Sequence, residues 1–542
     1  WLKNLLRQRQ AAGLLMLKCR VFRMLKVAVC GIIGISAAAD SSTCPADDVT
    51  CGTRAPNLTD TGQYFWPMAM GHPKYYSNPP WPGPKDLTSS FSWSWFGPTN
   101  TRFEDSFVAA VIDDKKDIYV NGDHHIYKLS PDGQLLWSYR IPGTTAADGP
   151  VIYDGKLNGA TTDGKIFSVD MKTGFEVWET KVSDHDGGEY SQLAAHKGVV
   201  VVQGDKRCQQ KPWPSCACEK VFGLNSTDGQ KLWTYNSEEV LWDWFPQFPD
   251  DDSVIFMDKT GSLHRLELQT GKLIWKAGGT PDTWTDGSQF VASNGLTYTV
   301  EVSSTACAPF KRGHVLECSG YVTAYKTSDG SQVWRVTVPK PPNTSPVVGR
   351  LGNKDKKLSL VMGIGQQSQA GCQIPAGRVY EALSWMPEGL RGMIFGMVHS
   401  FSVWLGDDNG WLWGTLTRTH DVWAFDAETG RKLWDWSGPT SHRMCNRGDE
   451  DGFLPRIQKG KRIVCCPTPW GQPRIDSDGA IYIANENGDL FRIRDTNQDK
   501  QIDDGQEVQV YHTGATFPHC GTAHAPGLMV AVNFDGVFTF RY

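Results

Sequence analysis

The chain has 542 residues and a formal net charge of −5, with 54 Lys and Arg against 59 Asp and Glu. Neither extreme of charge is reached, so composition gives no footing for a nucleic-acid partner. The 22 Trp and 56 Gly suit many short strands joined by tight turns, and an internal repeat overrides the several domains that length alone would suggest.

The chain starts at Trp1. Residues 1–23 carry Lys3, Arg7, Arg9, Lys18, Arg20 and Arg23 with no acid, and read as an atypical basic leader that need not be native. Met24 opens a short basic start, an apolar run from Val27 to Ile35 and a small-residue end at Ala37–Ala39. Residues 24–39 therefore read as a signal peptide cut before Asp40, the alternative being an uncleaved anchor whose apolar run is short for a span. No later segment has the pattern of a membrane span. Two of the 14 Cys, Cys19 and Cys30, fall in the leader. Among the rest, Cys44 with Cys51, Cys208 with Cys216 and Cys218, and Cys307 with Cys318 are close enough for disulfide-closed loops in an oxidising compartment. Zinc fits Cys216-Ala217-Cys218 poorly, because the two-residue gap is missing. Asn57, Asn225 and Asn343 open N-glycosylation sequons. The expected location is secreted or lumenal, outside the cytoplasm. Residues 40–90, rich in Pro, Gly and aromatics, read as an irregular lead-in that wraps the body, its aromatics serving packing.

The repeats follow. Val422–Trp434, VWAFDAETGRKLW, shows the unit: an apolar run, a polar turn ending in Gly, then a Trp, which is strand, tight turn, strand. Sister copies end at Trp137, Trp178, Trp233, Trp275 and Trp334, and a degenerate seventh runs from Leu490 to Tyr511. Trp137 and Trp178 are 41 residues apart, Trp233 and Trp275 are 42 apart, about one four-stranded propeller blade. Two further strand signals precede each hairpin, as in GPVIYD before Trp178. The C-terminal strand from Gly536 lacks a fourth partner, and Phe91–Phe96 is a fourth strand with nothing before it. Joined, they complete an eighth blade. The predicted fold is all-β: an eight-bladed β-propeller over residues 91–542, closed by the N-terminal strand, which removes the open sheet edge. Trp334 to Trp434 is 100 residues, so this blade carries an insert, placed at about 376–420, which reads either as a partner-binding excursion or lid or as non-native sequence.

These units resemble the pyrroloquinoline quinone (PQQ) repeat family, whose copies read like A-x-D-x-x-T-G-x-x-x-W, with Asp170–Trp178 and Asp426–Trp434 the strongest matches. The resemblance implies the propeller fold and Trp residues that dock neighbouring blades. It leaves the activity open. The family includes eight-bladed quinoprotein alcohol dehydrogenases, with PQQ and a metal on the propeller axis, and cofactor-free scaffolds such as the bacterial outer-membrane barrel-assembly lipoprotein.

Three features are candidates for chemistry. Ten or eleven residues after successive Trp comes an acid: Asp105 after Trp95, Asp148, Glu189, Asp243 and Asp286, with Thr344 breaking the series. These acids would ring one mouth of the channel and hold a hard cation or a cationic ligand, unless they cap turns or pair with Arg and Lys. Cys465-Cys466 matches the adjacent-cysteine disulfide that quinoprotein dehydrogenases stack on PQQ, but lies in a late blade instead of an early one, and bonds to Cys445 or Cys520 are the alternative. Asp495, Asn497, Asp499, Gln501 and Asp503 fall at positions 1, 3, 5, 7 and 9 of an EF-hand-like loop, the alternate oxygens Ca²⁺ needs. Lys500 replaces its Gly, and Glu507 comes one residue late. His124, His125, His519 and His524 read as structural, and no CxxCH haem site occurs. The sequence favours a binding or scaffold platform whose partner is a protein or a small molecule at the channel mouth. The alternative is a PQQ- and Ca²⁺-dependent dehydrogenase of an alcohol or sugar, with Asp286 or Asp243 as general base.

Overall fold

Each repeat folds as its pattern dictates. Asp170 Oδ1 accepts from Thr173 N (2.8 Å), Thr173 Oγ1 (2.8 Å) and Lys172 N (3.1 Å), which closes the turn, and these bonds hold the carboxylate pKa below its usual range. Asp426 does the same for Glu428 N and Thr429 N. Gly174 and Gly430 then sit at φ +73° and +71°, where a Cβ is disfavoured.

The computed structural model describes residues 64–542 except 74–75, 103–106, 123, 143–148, 162, 184–192, 210–214, 242–243, 286, 304–318, 343, 353–356, most of 366–418, and 441–468, and it leaves out the side chains of 205–209 and 215–217. The leader and signal peptide, Cys44, Cys51, the Asn57 and Asn343 sequons, Cys307 and Cys318 lie outside the described residues. The strands form eight antiparallel sheets arranged as an eight-bladed β-propeller. Blade one runs Ala110–Ile112, Ile118–Asn121, His125–Leu129, Leu135–Arg140, and the next six follow in chain order. Blade eight is Thr522–Ala525, Leu528–Asn533, Gly536–Arg541 and, from the other end of the chain, Phe91–Trp95. Phe91 pairs with Phe540 and Trp95 with Val537, so the ring closes as the sequence predicts. First strands of neighbouring blades touch one another, which makes them the innermost. Their residues are almost all buried, as in Ala110–Ile112 and Ala194–His196, whereas outer strands such as Leu135–Arg140 are mostly exposed.

The Trp residues dock blades. Trp137 lies under Gly174 of the next blade and donates from Nε1 to Met171 O (3.2 Å). Trp178 lies under Gly229 and donates to Ser226 O (3.3 Å), Trp233 under Gly271 to Leu268 O (2.8 Å), and Trp334 under Gly430 to Ala427 O (3.0 Å). Trp275 packs under Gly330 without such a bond. Of these, Trp178, Trp233 and Trp334 are buried, and each contributes roughly 2–3 kcal/mol by area removed from water.

Two positions differ from the sequence reading. In blade eight the docking residue is Trp93: it lies under Gly133, donates to Pro131 O (2.9 Å), and sits at the bulge where the other blades place their Trp. Trp95 instead packs on Phe107 and Tyr127. The alternation F-S-W-S-W offers two indoles on one face, and only pairing with Gly536–Arg541 chooses between them. The long insert leaves after Gly365 and returns at His420, which are register partners in blade six, so it starts at 366, ahead of the expected 376. The preceding strand, SLVMGIG, carries Gly363 and Gly365 but no Trp to mark its end.

Candidate functional site

The lead-in was expected to wrap the body. Its described part, from residue 64, runs through the ring instead. Trp66 forms an antiparallel bridge with Ile112 of blade one (Trp66 N to Ile112 O 2.9 Å, the return bond 2.8 Å), and Ile152 of blade two donates to Pro67 O (2.7 Å). Tyr76 OH donates to Phe248 O in blade four (2.5 Å), and its ring packs edge-on against Phe290 in blade five. Asn78 Nδ2 donates to Val348 O in blade six (2.8 Å). Gly83 N donates to Asp476 Oδ2 in blade seven (2.7 Å). A segment that meets the inner region of blades one, two, four, five, six and seven occupies the axis.

Local sequence explains how this strap folds. Met68 and Gly71 exchange backbone hydrogen bonds (3.0 and 2.9 Å), as do His72 and Tyr76 (3.2 and 2.6 Å), so the chain doubles back on itself. Gly71 has φ +109°, and a Cβ there would lie 1.7 Å from Tyr76 O, so only glycine fits. Trp66, Tyr76 and Ser77 are fully buried.

Arg474, on the inner strand of blade seven, ties the strap to the ring. Its Nη2 donates to Ala69 O (3.0 Å), its Nη1 to Ser77 Oγ (2.9 Å), and its Nε to Thr522 O in blade eight (2.9 Å). The guanidinium also bonds Gln472 Oε1 and Cys520 O, and lies over the Trp66 ring at 5.3 Å. Burial lowers its pKa to about 9, with Cys520 opposing, so it stays charged at neutral pH. His524 of blade eight is buried beside it, near Trp66 and Tyr482, and shares a 2.8 Å hydrogen bond with Thr522 Oγ1. Burial, then the Arg474 charge, hold its pKa at about 3.

The sequence-predicted sites fare unequally. Asp105, Asp148, Glu189, Asp243 and Asp286 lie outside the described residues, as do Cys465 and Cys466. Docking through Trp93 also shifts the spacing rule for Asp105, which then stands twelve residues after its Trp. Thr344, the position that broke the series, is buried and donates to Trp470 O (2.5 Å).

The Asp495–Glu507 loop replaces the tight turn of blade seven. Asp495 Oδ2 accepts from Lys500 N (3.1 Å), Asn497 Oδ1 from Asp499 N (2.8 Å), Asp499 Oδ1 from Gln501 N (2.8 Å), and Asp503 Oδ1 from Gly505 N (2.9 Å). Glu507 is buried and turned into the loop, where Oε1 accepts from Thr496 N (2.6 Å) and Oγ1 (2.9 Å) and Oε2 from Asp503 N (3.1 Å). Burial opposes its ionisation, but these hydrogen bonds outweigh it and lower its pKa. Gln501 is exposed, Ile502 packs on the core, and Trp436 of blade six bonds Asp504 Oδ1. Among the described residues no three His, Cys, Asp or Glu converge to hold a metal.

Known proteins resemble parts of this chain. A PQQ-repeat family model, described as outer membrane protein assembly factor BamB, matches residues 100–210. The chain is a PQQ-like repeat β-propeller. BamB of Nitrosomonas eutropha is 25% identical to this propeller over 227 residues, 37% of this chain and 54% of the relative. Tetrathionate hydrolase of Acidithiobacillus ferrooxidans is 21% identical over 319 residues, 54% of this chain and 58% of the relative. The chain thus spans little more than half the length of these two relatives. Among solved structures, BamB from Moraxella catarrhalis superposes with a TM-score of 0.46 at 14% identity, over 81% of this chain and 100% of that one.

The strap and Arg474 were missed from the sequence. The available signal was a charged Arg in an inner strand, where most residues are apolar, together with a Gly amid the Trp and Met of WPMAMG.

Proposed function

We propose that this propeller is an extracytoplasmic binding or scaffold platform whose partner is a protein. The observation that carries the reading is the strap. Family dehydrogenases hold PQQ on the axis, and here Trp66, Tyr76 and Asn78 lie there, buried and hydrogen-bonded to the inner strands. The residues on the axis therefore do not fit the quinone. The BamB relatives, outer membrane protein assembly factors, support a protein as partner. The leader and the cysteine spacing support a location outside the cytoplasm. Among the described residues no helix is long and apolar enough to cross a membrane.

The test is direct. Purified protein is incubated with PQQ and Ca²⁺, passed through gel filtration, and assayed for quinone absorbance and for dye reduction with alcohols and sugars. The platform reading expects neither. Retained quinone with dye reduction would return the dehydrogenase, with Asp243 or Asp286 as its base and Cys465–Cys466 at its cofactor.

The Asp495–Glu507 loop carries a separate proposal: it binds one Ca²⁺ through Asp495, Asn497, Asp499, Gln501 and Asp503, with Glu507 holding the loop closed. Asp495 Oδ1 is buried without a hydrogen-bond partner. Burial raises the Asp495 pKa against the Lys500 and Gln498 N–H groups, and the charges of Glu507 and Asp499 add to the rise. A cation would relieve both effects. Thermal unfolding in Ca²⁺ against chelator is expected to show a higher Tm with Ca²⁺ that Asp495→Asn abolishes. An identical Tm in both conditions removes the proposal.

A further inference from the structure

We propose that the axial channel is a peptide-binding site in its own right, which this chain fills with its own residues 64–73 and 76–84. The ring would then hold the strap as a ligand, without needing the covalent link at Lys85. This goes beyond the platform reading, which stands or falls on PQQ and on a protein partner whatever holds the strap.

The contacts are of the kind that recognise an extended peptide. The Trp66 bridge to Ile112 adds a strand residue to the exposed inner edge of blade one, and Pro67 O extends the pairing to blade two. Side chains then supply selectivity. The Trp66 indole fills space beside His524 and beneath Arg474, and Tyr76 reaches a backbone carbonyl in blade four. Arg474 reads the strap backbone at Ala69 O, a fixed donor at the axis whose hydrogen bonds go to carbonyl, amide and hydroxyl oxygens. These are buried aromatic anchors around a satisfied polar group, the arrangement of a binding hot spot.

The topology makes the strap separable. The ring closes through Phe91–Trp95 on Gly536–Arg541, downstream of the strap, so the strap supplies no strand to any blade. Between the two lie exposed Lys85 and Asp86 and the short helix Leu87–Ser90. Asp86 caps that helix through Ser89 N (2.6 Å). Cutting the chain at this junction breaks one connection and leaves every blade intact.

The experiment inserts a specific protease site between Lys85 and Asp86 of the full chain and cleaves it under reducing conditions, so that no disulfide holds the N-terminal fragment. The expected result is a fragment that co-elutes with the ring on gel filtration. In a Trp66→Ala/Tyr76→Ala background the fragment should leave at least ten-fold faster. If cleavage precipitates the ring, an excess of synthetic peptide 64–84 present during cleavage should keep it soluble and folded. The proposal is overturned if the fragment separates from a folded parent ring, if the double variant releases it no faster, or if the peptide fails to rescue a precipitating ring. A protein without bound PQQ passes the platform test in each of these cases, so the two readings fail separately.

Discussion

The rim and the axis of this propeller are held by opposite means. At the rim one solution is repeated: an outer-strand Trp slides under the turn glycine of the next blade, as Trp137 does under Gly174 and Trp334 under Gly430. At the axis nothing repeats. A single strap threads the inner strands, with one Arg and two aromatics anchoring it. The rim distributes its stabilisation over similar joints, so losing one loosens two blades. The axis concentrates its contacts, so losing one anchor reaches several blades. The geometry that fixes the fold is therefore modular, and the geometry that bears on function is not.

The sharpest way to break this contrast is Trp66→Ala. It empties the strap's largest buried side chain and is expected to cost about 3–5 kcal/mol, read from urea unfolding. A loss no larger than that of Trp137→Ala would show that axis and rim are equivalent.

Acid should act through the axis. His524 is held neutral in the fold with a pKa of about 3, below its ordinary value of 6.5. As pH falls below the unfolded value, the unfolded chain takes up a proton that the folded chain refuses, until the folded pKa is reached. Stability present above pH ~6.5 is thus lost toward pH ~3, at up to ~1.4 kcal/mol per pH unit. Unfolding midpoints across this range should fall less steeply in His524→Gln.

At the rim, Gly174→Ala forces a Cβ into positive φ and onto the Trp137 ring, 3.0 Å away. A loss of about 1–2 kcal/mol is expected from the backbone alone, with Trp137 fluorescence changing as the indole moves. Smallest is the joint between blades six and seven. Trp436→Phe removes the hydrogen bond to Asp504 and should cost about 1 kcal/mol, measured as a change in Tm. If Ca²⁺ orders the Asp495–Glu507 loop, that loss should grow when Ca²⁺ is present.

Much of the architecture was legible because it obeys a period. Spacing from Trp to Trp set the blade length, and unpaired strands at Phe91 and Gly536 foretold closure. The period misled where a blade offered two indoles, at Trp93 and Trp95, because local alternation cannot rank two residues on one face. It also placed the insert late, because Gly363 and Gly365 lie within the strand and no Trp marks the end of Ser359–Gly365. The candidate site was scarcely legible. Aligning the repeats drew attention to what they share, whereas the axis is filled by Trp66, Gly71, Tyr76 and Arg474, which belong to no shared position.

What the sequence determined alone is the set of local choices: turns capped by Asp170 and Asp426, glycines at positive φ, apolar inner strands and Trp-bearing outer ones. Each depends on neighbours a few residues away, so the order of residues suffices. What only the tertiary structure decided is which space those blades enclose and what fills it. Trp66 meets Ile112, His524 and Arg474 across separations of up to several hundred residues. Such contacts exist only once the ring has closed, because closure is what turns eight exposed inner edges into one buried channel.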